Sequence, residues 1–243
     1  QFFADRNVES KGVWADEGAG YVKEITIDLN EIVPVVAAPH HVDNIRSVYQ
    51  VAGTVVHEGL IGTCTNGRIE DLRVAAGILK GKKIKSGFQL NVIPASDRIY
   101  LQAINEGLIS DLVESGANIL TPSCGPCLGT GLGIPANGHT VISTANRNFA
   151  GRMGNKEASI YLASPATVAS SAIAGVITAP PDTAWEKTYP FVSEQSKACR
   201  IGDGEIRKSG KIWNYADVDN FNTDQMFAGK YTYNVLSSDP ESI

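Results

Sequence analysis

Apolar and polar residues alternate from Tyr21 to Leu29, with Tyr21, Lys23, Ile25, Ile27 and Leu29 on one side and Val22, Glu24, Thr26 and Asp28 on the other. A period of two predicts a strand with one buried face. Pro39 to Asn44 is polar and turn-like. Thr54 to Ile61 predicts a second strand, which delivers the chain to Gly62-Thr63-Cys64. The period then lengthens: Ile69, Leu72, Ala76 and Leu79 fall on one helical stripe, with Asp71, Arg73 and Lys80 off it.

The unit recurs. Phe88 to Pro94 predicts a strand, Asp97 to Glu106 and Leu108 to Ser115 predict helices, and Asn118 to Thr121 predicts a short strand that ends at Cys124. Thr140 to Ser143 predicts a strand that runs out into Thr144-Ala145-Asn146-Arg147-Asn148-Phe149-Ala150-Gly151-Arg152. Ser159 to Leu162 predicts a last strand, and Pro165 to Ile177 an alanine-rich helix with proline suited to its first turn. Strands alternating with helices predict an α/β fold, a three-layer α/β/α domain with a mainly parallel sheet. In such sheets ligands bind outside the carboxyl ends of the strands, and the cysteine loops follow strand ends.

From Ala179 the periodicity fades into a polar stretch with Gly202 and Gly204, and Lys211 begins something new. The expected organisation is one α/β domain over 1–180, a linker over 181–210 and the start of a further domain over 211–243. Both ends read as stretches of something longer.

Composition bounds the chemistry. At 243 residues, 43% hydrophobic and 19% charged, the chain can bury a core without disulfides. A net charge of -5 speaks against nucleic acid as a partner and says nothing against a small anionic substrate. No apolar run reaches the roughly 18 residues of a membrane span. Four cysteines, two of them in a CxxC, suit metal or redox chemistry in a reducing compartment, the cytoplasm or a mitochondrial matrix, better than a disulfide framework.

Cys64, Cys124 and Cys127 are each flanked by glycine, proline, threonine or asparagine. Buried core cysteines do not usually come in such company, and Pro126 suits a tight ligand loop. A CxxC plus one remote cysteine offers three thiolates, which leaves one iron of a cubane cluster without a protein ligand and open to substrate as a Lewis acid. Half a zinc site, a redox pair and a structural role are the alternatives. Cys199 lies in the polar stretch and is assigned no role. Arg147 and Arg152 flank a glycine after a strand and suit bidentate capture of carboxylates, a solvated basic loop being the other reading. Asn146 could bond a cluster sulfur or a substrate oxygen. Arg68, four residues after Cys64, is a similar substrate-binding candidate, since an arginine at a helix start is electrostatically unfavourable and suggests a reason other than helix stability. His40, His41, His57 and His139 lack ligand spacing and read as structural. Gly129 to Gly133 resembles a phosphate loop only weakly and suits close backbone approach to a cluster.

Gly62-Thr63-Cys64-Thr65-Asn66-Gly67-Arg68, Cys124-Gly125-Pro126-Cys127-Leu128-Gly129, Asn146 to Arg152 and Tyr161-Leu162-Ala163-Ser164-Pro165 together resemble the aconitase superfamily over about 20–180. Within it they look most like the isopropylmalate dehydratase and homoaconitase branch. The resemblance implies a 4Fe-4S cluster on Cys64, Cys124 and Cys127, with Asn146 at the cluster and Arg147 and Arg152 on substrate carboxylates. It implies reversible dehydration of a 2-hydroxy di- or tricarboxylic acid through an unsaturated intermediate, in amino-acid biosynthesis. Thr63 stands where serine is common in the family, and Asn66-Gly67-Arg68 favours this branch over citrate aconitase. The chain resembles the third, cluster-binding domain, and Asp217 to Tyr231 resembles the first strand of the swivelling fourth domain. A single fused enzyme is therefore implied, with the serine base and the histidine–acid pairs in other parts of it, so the remaining domains are the expected partners beside the hydroxy-acid substrate. An aconitate hydratase, a cluster-free RNA-binding relative and a cluster-bearing electron carrier are the competing readings. The acidic balance opposes RNA binding, and no fourth cysteine has ferredoxin spacing.

Overall fold

A computed structural model describes residues 7–9, 12–23, 25–26 and 32–181. The chain separates into two compact units, Gly20–Lys197 and a second made of Gln1–Ala19 with Ala198–Ile243. Of the second unit, 7–9 and 12–19 are described; they are exposed and turn at Glu17 and Gly18. The expected linker and further domain lie outside the described residues apart from Pro181, as does Cys199.

The first unit is built on a sheet of seven strands among the described residues. They are β1 (Val35–Ala37), β2 (Ile45–Ser47), β3 (Glu58–Ile61), β4 (Gln89–Val92), β5 (Asn118–Ile119), β6 (Thr140–Ser143) and β7 (Ser159–Leu162), in the order β2-β1-β7-β6-β3-β4-β5. From β7 through β5 all pairs are parallel, and β1 joins β2 and β7 antiparallel. The mainly parallel α/β sheet expected from the pattern is therefore present.

Among the described residues five α-helices connect or flank the strands: α1 (Val48–Val51), α2 (Ile69–Leu79), α3 (Asp97–Asn105), α4 (Leu108–Ser115) and α5 (Pro165–Ala174). Their ends are written in the sequence. Ser96 accepts from the backbone N–H of Ile99 at 3.3 Å, and Ser164 accepts from Thr167 at 3.2 Å with Pro165 in the first turn. At the start of α2, Asp71 accepts from the Arg68 N–H at 3.0 Å. Burial holds the Asp71 carboxyl above its usual range, only partly offset by that hydrogen bond. Glu70 and Asp71 in the first turn also balance the Arg68 charge there.

Alternate residues on the strands feed two cores. Ile61, Leu90, Val92 and Ile142 face a large cluster with α2, α4 and α5, where α2 packs against both other helices and buries Leu72, Val74, Ala75, Ala76, Ile78 and Leu79. α2 is thus apolar on more than the one stripe its spacing predicts, because neighbours cover it on several sides. Leu60, Val141 and Ile160 face the other way and join Ile93, Cys127, Ala145 and Met153. That second core is closed by the segments that follow β5 and β6.

Two expectations are corrected. Tyr21–Val22–Lys23 and Ile25–Thr26 form no strand, and Tyr21, Val22 and Ile25 are exposed; alternation makes a strand only when a sheet offers that face cover. The strand expected from Thr54 begins at Glu58, and Val55 makes only an isolated bridge to Val176. β1, β2 and α1 carry too few residues for a period to show.

No helix among the described residues is long and apolar enough to cross a membrane.

Candidate cluster and carboxylate site

Because β7, β6, β3, β4 and β5 run parallel, their carboxyl ends lie at one edge of the sheet. The loop with Cys64 leaves β3. Ile93 follows β4, Cys124 and Cys127 follow β5, and Asn146 to Arg152 follow β6. The loops after β3, β5 and β6 thus bring the three motif cysteines, Asn146 and the arginines Arg147 and Arg152 to the same edge, with Ile93 after β4 between them.

The Cys64 loop is pressed against the chain leaving β4. A β-carbon on Gly62 would stand 2.5 Å from the Ile93 carbonyl oxygen, and one on Gly67 would collide with the same oxygen. Gly67 in turn accepts from the Ala95 N–H at 2.8 Å. Between the two glycines Thr63 is buried while Cys64 and Thr65 are exposed. Two glycines let the backbone come close enough to raise the cysteine at the crest of the loop.

The second cysteine loop lies across the same residue. A β-carbon on Gly125 would meet the Ile93 side chain at 3.2 Å. Ile93 therefore has the Cys64 loop on its carbonyl and the CxxC loop on its side chain. Cys124 begins a 3-10 turn, Gly125–Leu128, whose Cys127 N–H donates to the Cys124 carbonyl at 3.1 Å. Cys124 is exposed and Cys127 is buried in the second core.

All three thiols are free. Among the described residues no three Cys, His, Asp or Glu side chains converge to hold a single metal ion. A cubane cluster asks for a different arrangement: each thiolate binds its own iron, so the sulfurs stand around a cube and not around a point. Three free thiols on two loops that both touch Ile93 are compatible in chemistry and number with such an arrangement.

The loop after β6 brings the amide and the arginines. The Asn146 side-chain amide donates to Thr65 Oγ1 at 3.2 Å, and that hydroxyl lies 3.7 Å from Cys64 Sγ. Arg147 is half-buried, and its Nη1 donates to the Asn146 carbonyl at 2.9 Å. Arg152 is half-buried too. Its guanidinium lies 5.7 Å from the centre of the Phe149 ring, and its Nε is buried with no hydrogen-bond partner among the described residues. A buried donor without an acceptor suits a group that a ligand oxygen completes. Arg68 is exposed at the head of α2.

Three supporting residues lie within or just before the quoted motifs but had no role of their own assigned from the sequence. Asn148 is buried and donates to the Ala38 carbonyl at 2.8 Å, so it moors the arginine loop to the end of β1. Thr144 and Asn66 link the loops after β3 and β6. Two of the histidines lie elsewhere, while the His41 carbonyl accepts from Asn148 of the arginine loop at 3.4 Å. His57 and His139 precede β3 and β6, stack with centroids 4.8 Å apart, and His139 Nδ1 meets Glu58 Oε1 at 2.6 Å. They sit at the amino ends of the strands, across the sheet from the cysteine loops.

A mainly parallel sheet with cysteine and arginine loops gathered at its carboxyl edge defines an α/β domain with its candidate site at the strand ends. The chain belongs to the aconitase family (aconitate hydratase), whose pattern it matches over residues 4–175. It is 55% identical over 175 residues to the 3-isopropylmalate dehydratase large subunit 2 of Archaeoglobus fulgidus, which covers 72% of this chain and 42% of that protein. It is 54% identical over 166 residues to the 3-isopropylmalate dehydratase large subunit of Clostridium beijerinckii, covering 68% and 40%. To the homoaconitase large subunit of Thermus thermophilus it is 48% identical over 177 residues, covering 73% and 42%. The matched region spans about two-fifths of the length of these relatives.

Proposed function

We propose that this chain is the cluster-bearing part of a hydro-lyase that interconverts 2-hydroxy di- or tricarboxylic acids through an unsaturated intermediate, of the isopropylmalate or homoaconitate type, in amino-acid biosynthesis. The observation that carries the reading is the gathering of Cys64, Cys124, Cys127, Asn146, Arg147 and Arg152 at the carboxyl ends of three parallel strands, β3, β5 and β6. Cys64, Cys124 and Cys127 would hold a 4Fe-4S cluster. When bound, such a cluster supplies a Lewis acid that helps hydroxide leave.

The chain's own residues do the rest of the binding. Arg152, with its unpartnered Nε, offers a planar fork for a carboxylate, and Arg147 beside it offers a second. Asn146, tied to Thr65, stands where it can orient a substrate oxygen next to Cys64. Arg68, on the rim at the head of α2, would raise the local concentration of a dianionic substrate. The base that takes the proton beside a carboxylate comes from further protein: other domains of the same chain, or a small subunit such as the large-subunit names of the relatives imply.

The test is anaerobic reconstitution with iron and sulfide of the wild type beside Cys64→Ser, read by iron content and by EPR after mild oxidation. A 3Fe signal in the wild type alone is the expected result. No iron uptake by the wild type, repeated in the complete enzyme, would overturn the reading.

A further inference from the structure

The backbone of the Cys64 loop is held after β4 by the Ala95 N–H on the Gly67 carbonyl, and on the β6 side by Thr144. The β3–β6 ladder ends at the Leu60–Ser143 pair, so Gly62 leaves the sheet with its N–H and C=O both in need of partners. Thr144 supplies both. Its Oγ1 accepts from the Gly62 N–H at 2.9 Å and donates to the Gly62 carbonyl at 2.6 Å. Thr144 is 1% exposed, so bulk solvent does not reach that hydroxyl. Its own carbonyl then accepts from the Asn66 side-chain amide. The two contacts fall two residues before and two residues after Cys64. Asn146, two residues beyond Thr144, adds the bond to Thr65.

We propose that Thr144 is a positioning residue for the Cys64 thiol: its hydroxyl and carbonyl, with Asn66, clamp the loop on both sides of the cysteine. The consequence for iron rests on the function proposed above; the clamp itself rests on the hydrogen bonds alone. A hydroxyl is needed because it alone among small side chains donates and accepts at one atom. Serine can replace it and valine, nearly identical in shape, cannot.

The experiment compares wild type, Thr144→Val and Thr144→Ser by amide hydrogen exchange, and then by iron content after reconstitution and chelator challenge. In Thr144→Val the Gly62 amide should exchange about tenfold faster or more, since buried backbone groups are left unpaired. The ladder amide of Ile93, bonded to the Ile61 carbonyl at 2.8 Å, should be unchanged, and Thr144→Ser should behave as wild type. Iron should be lost several-fold faster from Thr144→Val than from the other two. Asn66→Ala, which releases the other arm from a half-buried position, should shift both readings the same way, and it decides the matter if Thr144→Val does not fold. Equal Gly62 exchange in all forms overturns the clamp. Faster exchange with unaltered iron loss overturns the role toward the thiol and leaves Thr144 as a fold residue. If the wild type takes up no iron, the proposed function falls, while the exchange data still decide whether Thr144 holds the loop.

Discussion

Ile93 and Gly62 touch backbone to backbone: the Ile93 carbonyl oxygen occupies the space a β-carbon at position 62 would need, 2.5 Å away. Gly62 also has φ +149, a conformation that residues with a β-carbon rarely adopt. Gly62→Ala therefore meets both a clash and backbone strain. The expected destabilisation is about 2 kcal/mol or more, measured by urea unfolding, and a change within experimental error would show that the loop can move off Ile93.

Gly77 makes the opposite prediction. It lies in α2, is exposed, and a β-carbon there meets nothing within 4 Å. Gly77→Ala should stabilise the domain by about 0.4–1 kcal/mol, because alanine has less backbone freedom to lose. A raised urea midpoint with an unchanged slope is the expected record.

Arg73 on α2 and Glu106 at the end of α3 form a two-pronged pair, Nε to Oε2 at 2.8 Å and Nη2 to Oε1 at 2.7 Å. The hydrogen bond from Arg73 holds the Glu106 carboxyl below its ordinary value of 4.5. A double-mutant cycle with Arg73→Ala and Glu106→Ala should give a coupling of up to about 1 kcal/mol at neutral pH, the upper range for pairs open to solvent. Since the folded-state value is depressed, the contribution is complete above the ordinary carboxylate value and disappears as pH falls through the lower folded one. A coupling that persists under strong acid would contradict the assignment.

Cys64→Ser, Cys124→Ser and Cys127→Ser should each prevent a complete cluster, whereas Cys199→Ser should leave iron content intact. Cys127→Ser should carry a second cost, because its thiol is buried among Leu60, Ile93 and Met153 and a hydroxyl there is poorly served. Lower thermal stability in Cys127→Ser alone would mark that difference. Equal iron loss in all four variants would remove the three-thiol assignment.

Arg152→Lys in the complete enzyme should lose turnover while keeping iron. Lysine retains the charge but replaces a planar fork by a point, and it cannot stack on Phe149 in the same way. Unchanged kcat and KM would take Arg152 out of the substrate site.

The sequence by itself determined the elements long enough to show a period. α2 is found at Ile69–Leu79 because eleven residues carry three turns of apolar spacing, and β6 and β7 match their expected bounds. The motifs also carried their own chemistry, since thiols, forks and glycines keep their properties wherever they are placed. Only the tertiary structure decided which patterned stretches find cover, which is why Tyr21, Val22 and Ile25 alternate and yet stand exposed. It alone decided that three-residue β1 and β2 extend the sheet, because a strand that short is stabilised by its partners. And it alone made Thr144, Asn66 and Asn148 matter: a small polar side chain has meaning only through the backbone group it meets, and those groups lie 78 to 111 positions away along the chain.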